Sequence, residues 1–506
     1  MLTIVDTPLG IAPAVPEPRA GGFPADLEAA LLPGTPEARA RLAQPGALVV
    51  TTGQQPGLFG GPLYTVHKAL SARALALELE RQWNRPVVPV FWLAGDDHDY
   101  AEATTSAWIG AEGSLVSAAL EPRPADAAQR PMAREPVPQR AAELIAEIGQ
   151  ALPAGPAREA ALGWLSRHWR ADTTLAGAFG GALAEILAPF GILCFDPTAP
   201  AAKRRAAPVV VAAAARAAEL DRLLVERSAA LEAAGSPPGV KVGDGATLAF
   251  LDGPGGRDRL VLDGAGFRTR RGGEALDLAA LERIAAAEPE RLSANVLLRP
   301  VVESALLPTV AYLAGPGELR YLALAEVLYG PLGVERQRPT PRWSGVLVEP
   351  RVLRTMEKLG VTLDELLGPA AAVEQRILRT LVPPDFEAAF ADLRAAIDAG
   401  YPRLVAVARQ IDPTLEKPAA SAQGAALGGL ADLEKRLLGA QKRRQGELMG
   451  QLERARASVR PGGAPQERVL GLASLAGRYG FSVLEPLADH IAAWYRGALE
   501  GASSTP

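Results

Sequence analysis

Residues 47–102 read ALVVTTGQQPGLFGGPLYTVHKALSARALALELERQWNRPVVPVFWLAGDDHDYAE, and they restrict the fold more than any other stretch. An apolar run, Ala47–Val50, leads into Thr51, Thr52, Gly53, Gln54 and Gln55. A glycine-rich loop follows (Gly57, Gly60, Gly61, Pro62), then a helical pattern with His67 and Lys68 in its first turns. A second apolar run, Pro89–Ala94, is closed by Gly95, Asp96, Asp97, His98 and Asp99. Strand, glycine loop, helix and strand make one βαβ unit with a polar cluster at the end of each strand.

In an open parallel sheet, ligands bind beyond the carboxyl ends of the strands, near the point where strand order reverses. A right-handed crossover would put both polar clusters on one edge of the sheet. The glycines let the backbone approach a ligand, and a helix start offers N–H groups to an anion. Thr52, Gly53, Gln54, Gln55, Gly60, Gly61 and Lys68 are therefore candidates for holding a phosphate-bearing cofactor, although an ordinary tight turn would use the same glycines. His67, Asp96, Asp97, His98 and Asp99 are the candidate catalytic groups. Three carboxylates beside an imidazole repel one another unless a cation, a positive side chain or a proton separates them.

The chain has 506 residues, enough for two or three domains with a large core. Its formal charge of −4 gives no support for a global attraction to nucleic acid or to an anionic membrane. The single cysteine, Cys194, excludes an intramolecular disulfide, and its setting, GILCFDP, predicts a buried core thiol. No basic and apolar leader opens the sequence, and no apolar run approaches the ~20 residues of a membrane span. These features predict a cytoplasmic protein with no membrane and no nucleic-acid partner.

Beyond the βαβ unit, residues 104–120 suggest a strand or hairpin, and 121–139 read as a Pro- and Arg-rich linker. Helices are expected at 141–151, 157–170 and 175–187, a buried strand at 191–195, and an alanine-rich helix from about 208 to 234. Short apolar runs split by Gly and Asp at 241–273 predict a small β insertion, with LDGPGGRD as a hairpin turn. A helix at 277–287 closes it.

Residues 292–333 supply a third edge, where Gly315 and Gly317 are further candidates for holding the cofactor. Asn295, Arg299 and Glu303 precede an apolar run, 310–313, that ends in Gly315, Pro316, Gly317 and Glu318, followed at once by a helix carrying Arg320 and Tyr321. From 351 onward the periodicity is helical. Two long patterns, 385–411 and 420–459, are broken by Asp412 and Pro413, with leucines at three- and four-residue spacing and basic residues between them. That is an antiparallel coiled-coil hairpin, expected to form a homodimer, with the basic cluster as a solvated face. The tail, 466–501, reads as packing helices.

Four stretches together, TGQQPGLFGGPLYTVHK, PVFWLAGDDHDYAE, NVLLRPVVESALLPTVAYLAGPGELRY and QERVLGL, resemble the cysteine-adding enzyme family of bacillithiol biosynthesis. The match runs in order over nearly the whole chain. Asp96 stands where that family commonly has Glu, which keeps the charge on a shorter side chain. The resemblance implies an α/β fold: a Rossmann-like parallel-sheet core over 1–350, with connecting-peptide insertions at about 115–170 and 240–290. It also implies a coiled-coil dimerisation domain over 351–465 and a C-terminal segment, 466–506, packed on the core. The implied reaction joins the carboxyl group of L-cysteine to the amine of glucosaminyl-malate.

Amide formation from a carboxylate needs an activated acyl group, most simply an acyl-adenylate or acyl-phosphate made from ATP. A glycine loop backed by His67 and Lys68 suits phosphate, and the absence of GxxxxGK[ST] rules out a P-loop. Asp96 or Asp99 could hold Mg²⁺, or the acidic cluster could hold the attacking amine as a cation until His98 accepts a proton. Zinc is disfavoured, because His98 has no second His or Cys at ligand spacing. Asn295, Arg299, Glu303, Glu318, Arg320 and Tyr321 are the candidate substrate-binding residues, with Arg299 and Arg320 facing the malyl carboxylates. Two other readings stay open: a nucleotidylyl transferase on the same scaffold, and a non-catalytic metabolite-binding partner.

Overall fold

The computed structural model describes residues 2–124, 127–243 and 245–503, and the chain divides into two compact units. The larger holds residues 4–347 together with the chain from 466 onward; the smaller consists mainly of residues 348–465. The last three positions of the expected C-terminal segment, 504–506, lie outside the described residues.

The larger unit is built on five parallel strands: β1 (Leu48–Gln54), β2 (Val87–Leu93), β3 (Leu193–Phe195), β4 (Thr309–Ala314) and β5 (Arg338–Pro341). Their order across the sheet is β5-β4-β1-β2-β3, so order reverses between β1 and β4. β2 and β4 are buried along their whole length, as expected where both faces of a parallel sheet are covered. Helix α1 (Tyr64–Trp83) connects β1 to β2 and ends on Asn84 in the left-handed conformation. The expected βαβ unit is therefore present, and Cys194 is a buried thiol within β3, pushed up to about 12 by that burial.

The expected hairpin forms from 105–109 and 115–119, and the helices expected at 141–151 and 157–170 appear as Arg140–Ala151 and Pro156–His168. The alanine-rich helix differs from expectation. It begins eight residues earlier, at Pro200, and breaks at Arg216 into α2 (Pro200–Ala215) and α3 (Ala217–Ala233). Pro200 occupies the first turn, where a missing N–H costs nothing, whereas Pro208 lies inside the helix.

The β insertion is an antiparallel sheet of five strands, including Ala246–Gly253, Gly256–Asp263 and Leu292–Ala294. Its turn at Pro254 and Gly255 is the expected hairpin. Gly256 has φ +83°, and a Cβ there would lie 2.5 Å from the Gln129 backbone, so glycine is required. After the insertion come α4 (Arg299–Leu306) and α5 (Pro316–Ala325), before and after β4.

In the smaller unit, α6 (Phe386–Ile411) and α7 (Glu416–Arg444) pack side by side across a turn that Asp412 ties by accepting from the Thr414 N–H and hydroxyl, each at 2.8 Å. The second expected helix is interrupted at Gln445, before Gly446, and resumes as Gly446–Val459. Within the basic stretch, Lys442 pairs with Glu374 at 2.8 Å.

Candidate active site

The switch point of the sheet opens into a cavity of about 630 Å³. It receives Gly53, Gln54 and Gln55 from the end of β1, Asp96, Asp97 and His98 from the end of β2, and Gly315, Gly317 and Glu318 from the turn after β4. Lys68, Asn295, Arg299, Arg320 and Tyr321 complete the expected residues that reach it. All three expected edges thus meet in one place, as strand order requires.

Thr52, Gly60, Gly61, His67, Asp99 and Glu303 do not line this cavity. Thr52 is buried and donates to the Leu313 carbonyl at 2.9 Å, tying β1 to β4. The glycine loop is a packing device rather than a phosphate cradle. The Gly61 carbonyl accepts from Leu472 N–H at 3.0 Å, and the next turn of chain binds back through Leu63 N–H to the Leu470 carbonyl at 2.9 Å. A Cβ at Gly60 would lie 3.0 Å from Trp164. The loop needs glycine because the C-terminal segment and Trp164 press against it.

His67 belongs to the same seam. It is 1% exposed, stands edge-on to Trp343, and its Nδ1 lies 3.0 Å from Glu467 Oε2. Arg342 grips both Glu467 carboxylate oxygens, one at 2.8 Å, and Ser344 donates at 3.2 Å. Burial alone would raise the Glu467 carboxyl, but hydrogen bonds from His67 and Arg342 hold it down at about 2. Burial lowers His67 below its ordinary value, so it sits there neutral, with Nδ1–H donating to the carboxylate.

The cavity floor is a connected charge network. Lys68, 1% exposed, donates to Glu318 at 2.7 Å, to Gln54 at 3.4 Å and to the Gly53 carbonyl. Its three N–H bonds are all used, so it orients Glu318 and Gln54 instead of presenting a charge to phosphate. Glu318 also accepts from Tyr312 OH and from the Gly315 N–H at the start of α5, each at 2.8 Å. Burial opposes its ionisation, yet Lys68 and these donors keep it below the usual carboxylate range. Glu303, fully buried, holds Arg299 at 2.7 Å and accepts from Thr51. Arg299 spreads 4.9 Å from the Tyr312 ring centroid and keeps one Nη without a hydrogen-bond partner among the described residues.

Across the cavity, the acidic cluster is resolved by positive side chains that sequence reading did not single out. Lys203 of α2 donates to Asp96 at 2.6 Å and to the Leu292 carbonyl at 3.0 Å. Arg257 of the inserted sheet meets His98 Nδ1 at 3.0 Å. Asp99 caps the short helix that follows, accepting from Glu102 N–H at 3.2 Å. Asp96 and Asp99, alternative candidates to hold Mg²⁺, are occupied by a lysine and by a helix start respectively. Among the described residues no group of three or more His, Cys, Asp or Glu side chains is placed to hold a metal ion. Asn295 caps the chain entering α4, its Oδ1 accepting from Leu297 and Leu298 N–H at 3.0 and 2.9 Å.

Two family descriptions fit consecutive parts of the chain. Residues 31–342 match the bacillithiol biosynthesis BshC N-terminal Rossmann-like domain, and residues 345–493 match the BshC C-terminal coiled-coil domain. The chain belongs to the BshC family. Curated relatives carry the name "Putative cysteine ligase BshC". One from Koribacter versatilis is 32% identical over 90% of this chain and 85% of its own length. One from Solibacter usitatus is 34% identical over 77% and 72%, and one from Symbiobacterium thermophilum 30% over 89% and 83%. The family descriptions agree with the parallel-sheet core and the paired long helices. Among the described residues no helix is long and apolar enough to cross a membrane.

Proposed function

We propose that this chain ligates L-cysteine to glucosaminyl-malate, forming bacillithiol, with the cysteine carboxylate activated at the expense of ATP. The observation that carries this reading is the charge of the cavity. Nine lysines and arginines line it against four carboxylates, and two more carboxylates behind the wall, Glu303 and Glu467, pair with Arg299 and Arg342, which leaves an excess of three positive charges in a chain whose formal charge is −4. A cavity of that sign concentrates polyanions, here a nucleotide and a dicarboxylate sugar.

The lining fits phosphate and carboxylate better at Arg299, whose side chain keeps 17% exposure, and at exposed Arg320 than at the glycine loop. ATP supplies the leaving group that makes the cysteine carboxyl carbon electrophilic. The protein's own part is to bind and orient. Lys68, Glu318 and Tyr312 set the floor, Arg299 is held by Glu303, and Asp97 and His98 face the floor from the opposite strand end. Asp96, already paired with Lys203, stiffens that end, and no step is assigned to a divalent cation.

The same reading places the protein in the cytoplasm, as a homodimer through its coiled coil. Leu393, Leu404, Val407 and Ile411 on α6 are each at least half exposed, and Leu433 and Leu437 on α7 nearly so. An apolar seam of that kind is covered by a second copy. Light scattering of a 385–459 deletion that still dimerises would refute this part.

The central test is reconstitution of pure protein with L-cysteine, glucosaminyl-malate, ATP and Mg²⁺, followed by mass detection of bacillithiol. Product with AMP indicates adenylation, and product with ADP indicates acyl phosphate. No bacillithiol with either nucleotide product sinks the reading.

A further inference from the structure

Arg257 lies in the inserted sheet, 159 positions along the chain from His98, yet it binds that residue directly. It is 7% exposed, and its face lies 3.9 Å from the Phe250 ring centroid. Its Nε donates to Ser293 Oγ at 2.9 Å and one Nη to the Ala294 carbonyl at 2.6 Å. The other Nη reaches His98 Nδ1 at 3.0 Å. Three bonds and a stacked ring leave the guanidinium one orientation.

A guanidinium carries donors only, so His98 Nδ1 must present its lone pair. A neutral imidazole has one N–H proton, which then sits on Nε2. His98 lines the cavity, and its Nε2 has no protein hydrogen-bond partner among the described residues. Taking up a proton would place it on Nδ1, breaking the Arg257 bond and setting two cations face to face. Burial and the Arg257 charge both oppose that, and they outweigh Asp97 and Asp99.

We propose that Arg257 is a positioning residue that holds His98 as its Nε2–H tautomer, so that His98 meets the bound substrate as a neutral hydrogen-bond donor to an anionic oxygen and not as a general base. The donor role rests on the ligation reading, whereas the tautomer does not. Sequence reasoning had given His98 the opposite task, accepting a proton from the amine. The difference comes from a residue in a hairpin that had looked like a plain insertion.

The chain has four histidines, so nitrogen-15 histidine labelling of the intact protein yields few imidazole signals, and His98→Gln identifies one set. At pH 7 the expected result is an unprotonated Nδ1 and a protonated Nε2. A protonated Nδ1, or an imidazolium, overturns the proposal. Arg257→Lys is expected to give a mixture of tautomers and to lower kcat by about 10- to 100-fold with KM little changed; unaltered nitrogen shifts in that variant would count against it. For the donor role, His98→Ala is expected to lose about 100- to 1,000-fold in kcat. His98→Gln, whose side-chain amide still donates, should recover a clear part of that loss. Equal inactivity of the two variants overturns the donor role. Absence of product from the wild-type enzyme overturns the ligation reading and the donor role with it, while the nitrogen shifts still decide the tautomer.

Discussion

His67 and Lys68 are neighbours on one helix, yet they serve two different networks. Successive residues of a helix point about 100° apart. That turn sends Lys68 towards Gly53, Gln54 and Glu318 at the cavity floor, and His67 towards Glu467, Arg342 and Trp343 beneath it. Each has a glutamate partner. The Glu318 side chain retains 22% of its exposure, while the Glu467 side chain retains 6%. The first network can exchange with ligand and water. The second is a largely buried bolt between the core and the C-terminal segment, and it meets the cavity wall at Arg342. Polarity in the first turns of a helix therefore does not mark a site by itself; which direction a side chain leaves the helix decides it.

The contrast breaks most visibly at Glu467. Glu467→Ala removes the carboxylate held by a bidentate arginine and leaves Arg342, 2% exposed, with only the Trp343 backbone carbonyl among the described residues. Leaving a buried charge without its partner costs about 3–5 kcal/mol, so chemical denaturation should show a loss of that size. A loss below about 1 kcal/mol would mean that water reaches this seam. Glu318→Gln should cost less stability, about 1.5–3 kcal/mol, because Lys68 keeps the Gly53 carbonyl and Gln54, and the cavity admits water. Its effect belongs in kcat/KM, expected to fall at least tenfold, read in the reconstituted assay. Equal stability losses for the two variants would erase the distinction between the networks.

The core of the fold was legible because periodicity and glycine punctuation are local. Ala47–Glu102 announced its strands and helix, and the three glycine- or acid-rich strand ends do meet in one cavity. What stayed hidden was long-range. Lys203 pairs with Asp96 across 107 positions and Arg257 with His98 across 159, and neither has a local signal. The glycine loop misled for a different reason. A turn crowded by Trp164 and Leu472 and a turn that cradles phosphate demand the same missing Cβ. QERVLGL carries no local sign of this contact, because Glu467 sits between Gln466 and Arg468 like an ordinary surface acid and its partners lie more than a hundred residues away.

His67→Gln sharpens the same contrast at smaller scale. The amide keeps a donor for Glu467 but not the edge contact with Trp343, so about 1–3 kcal/mol of stability should go while kcat/KM of the folded enzyme stays as it was. A large fall in kcat/KM would return His67 to the catalytic machinery.

The smallest effect is a slope. His67 is held neutral by burial, so below an unfolded-state value near ~6.5 the unfolded chain binds a proton that the folded chain refuses, and stability falls with pH. Glu467 acts with the same sign but lower: its folded value of about 2 lies beneath the ordinary carboxylate range, so its contribution is full above ~4.3 and is lost as pH falls towards 2. Denaturation midpoints of the wild type should therefore decline in two stages, first below ~6.5 and again below ~4.3. In His67→Gln the first stage should become shallower but persist, because His98 is also held below its ordinary value. An unchanged first stage in that variant would mean that His67 takes up its proton inside the fold, making the seam with Glu467 and Arg342 wetter than its burial indicates.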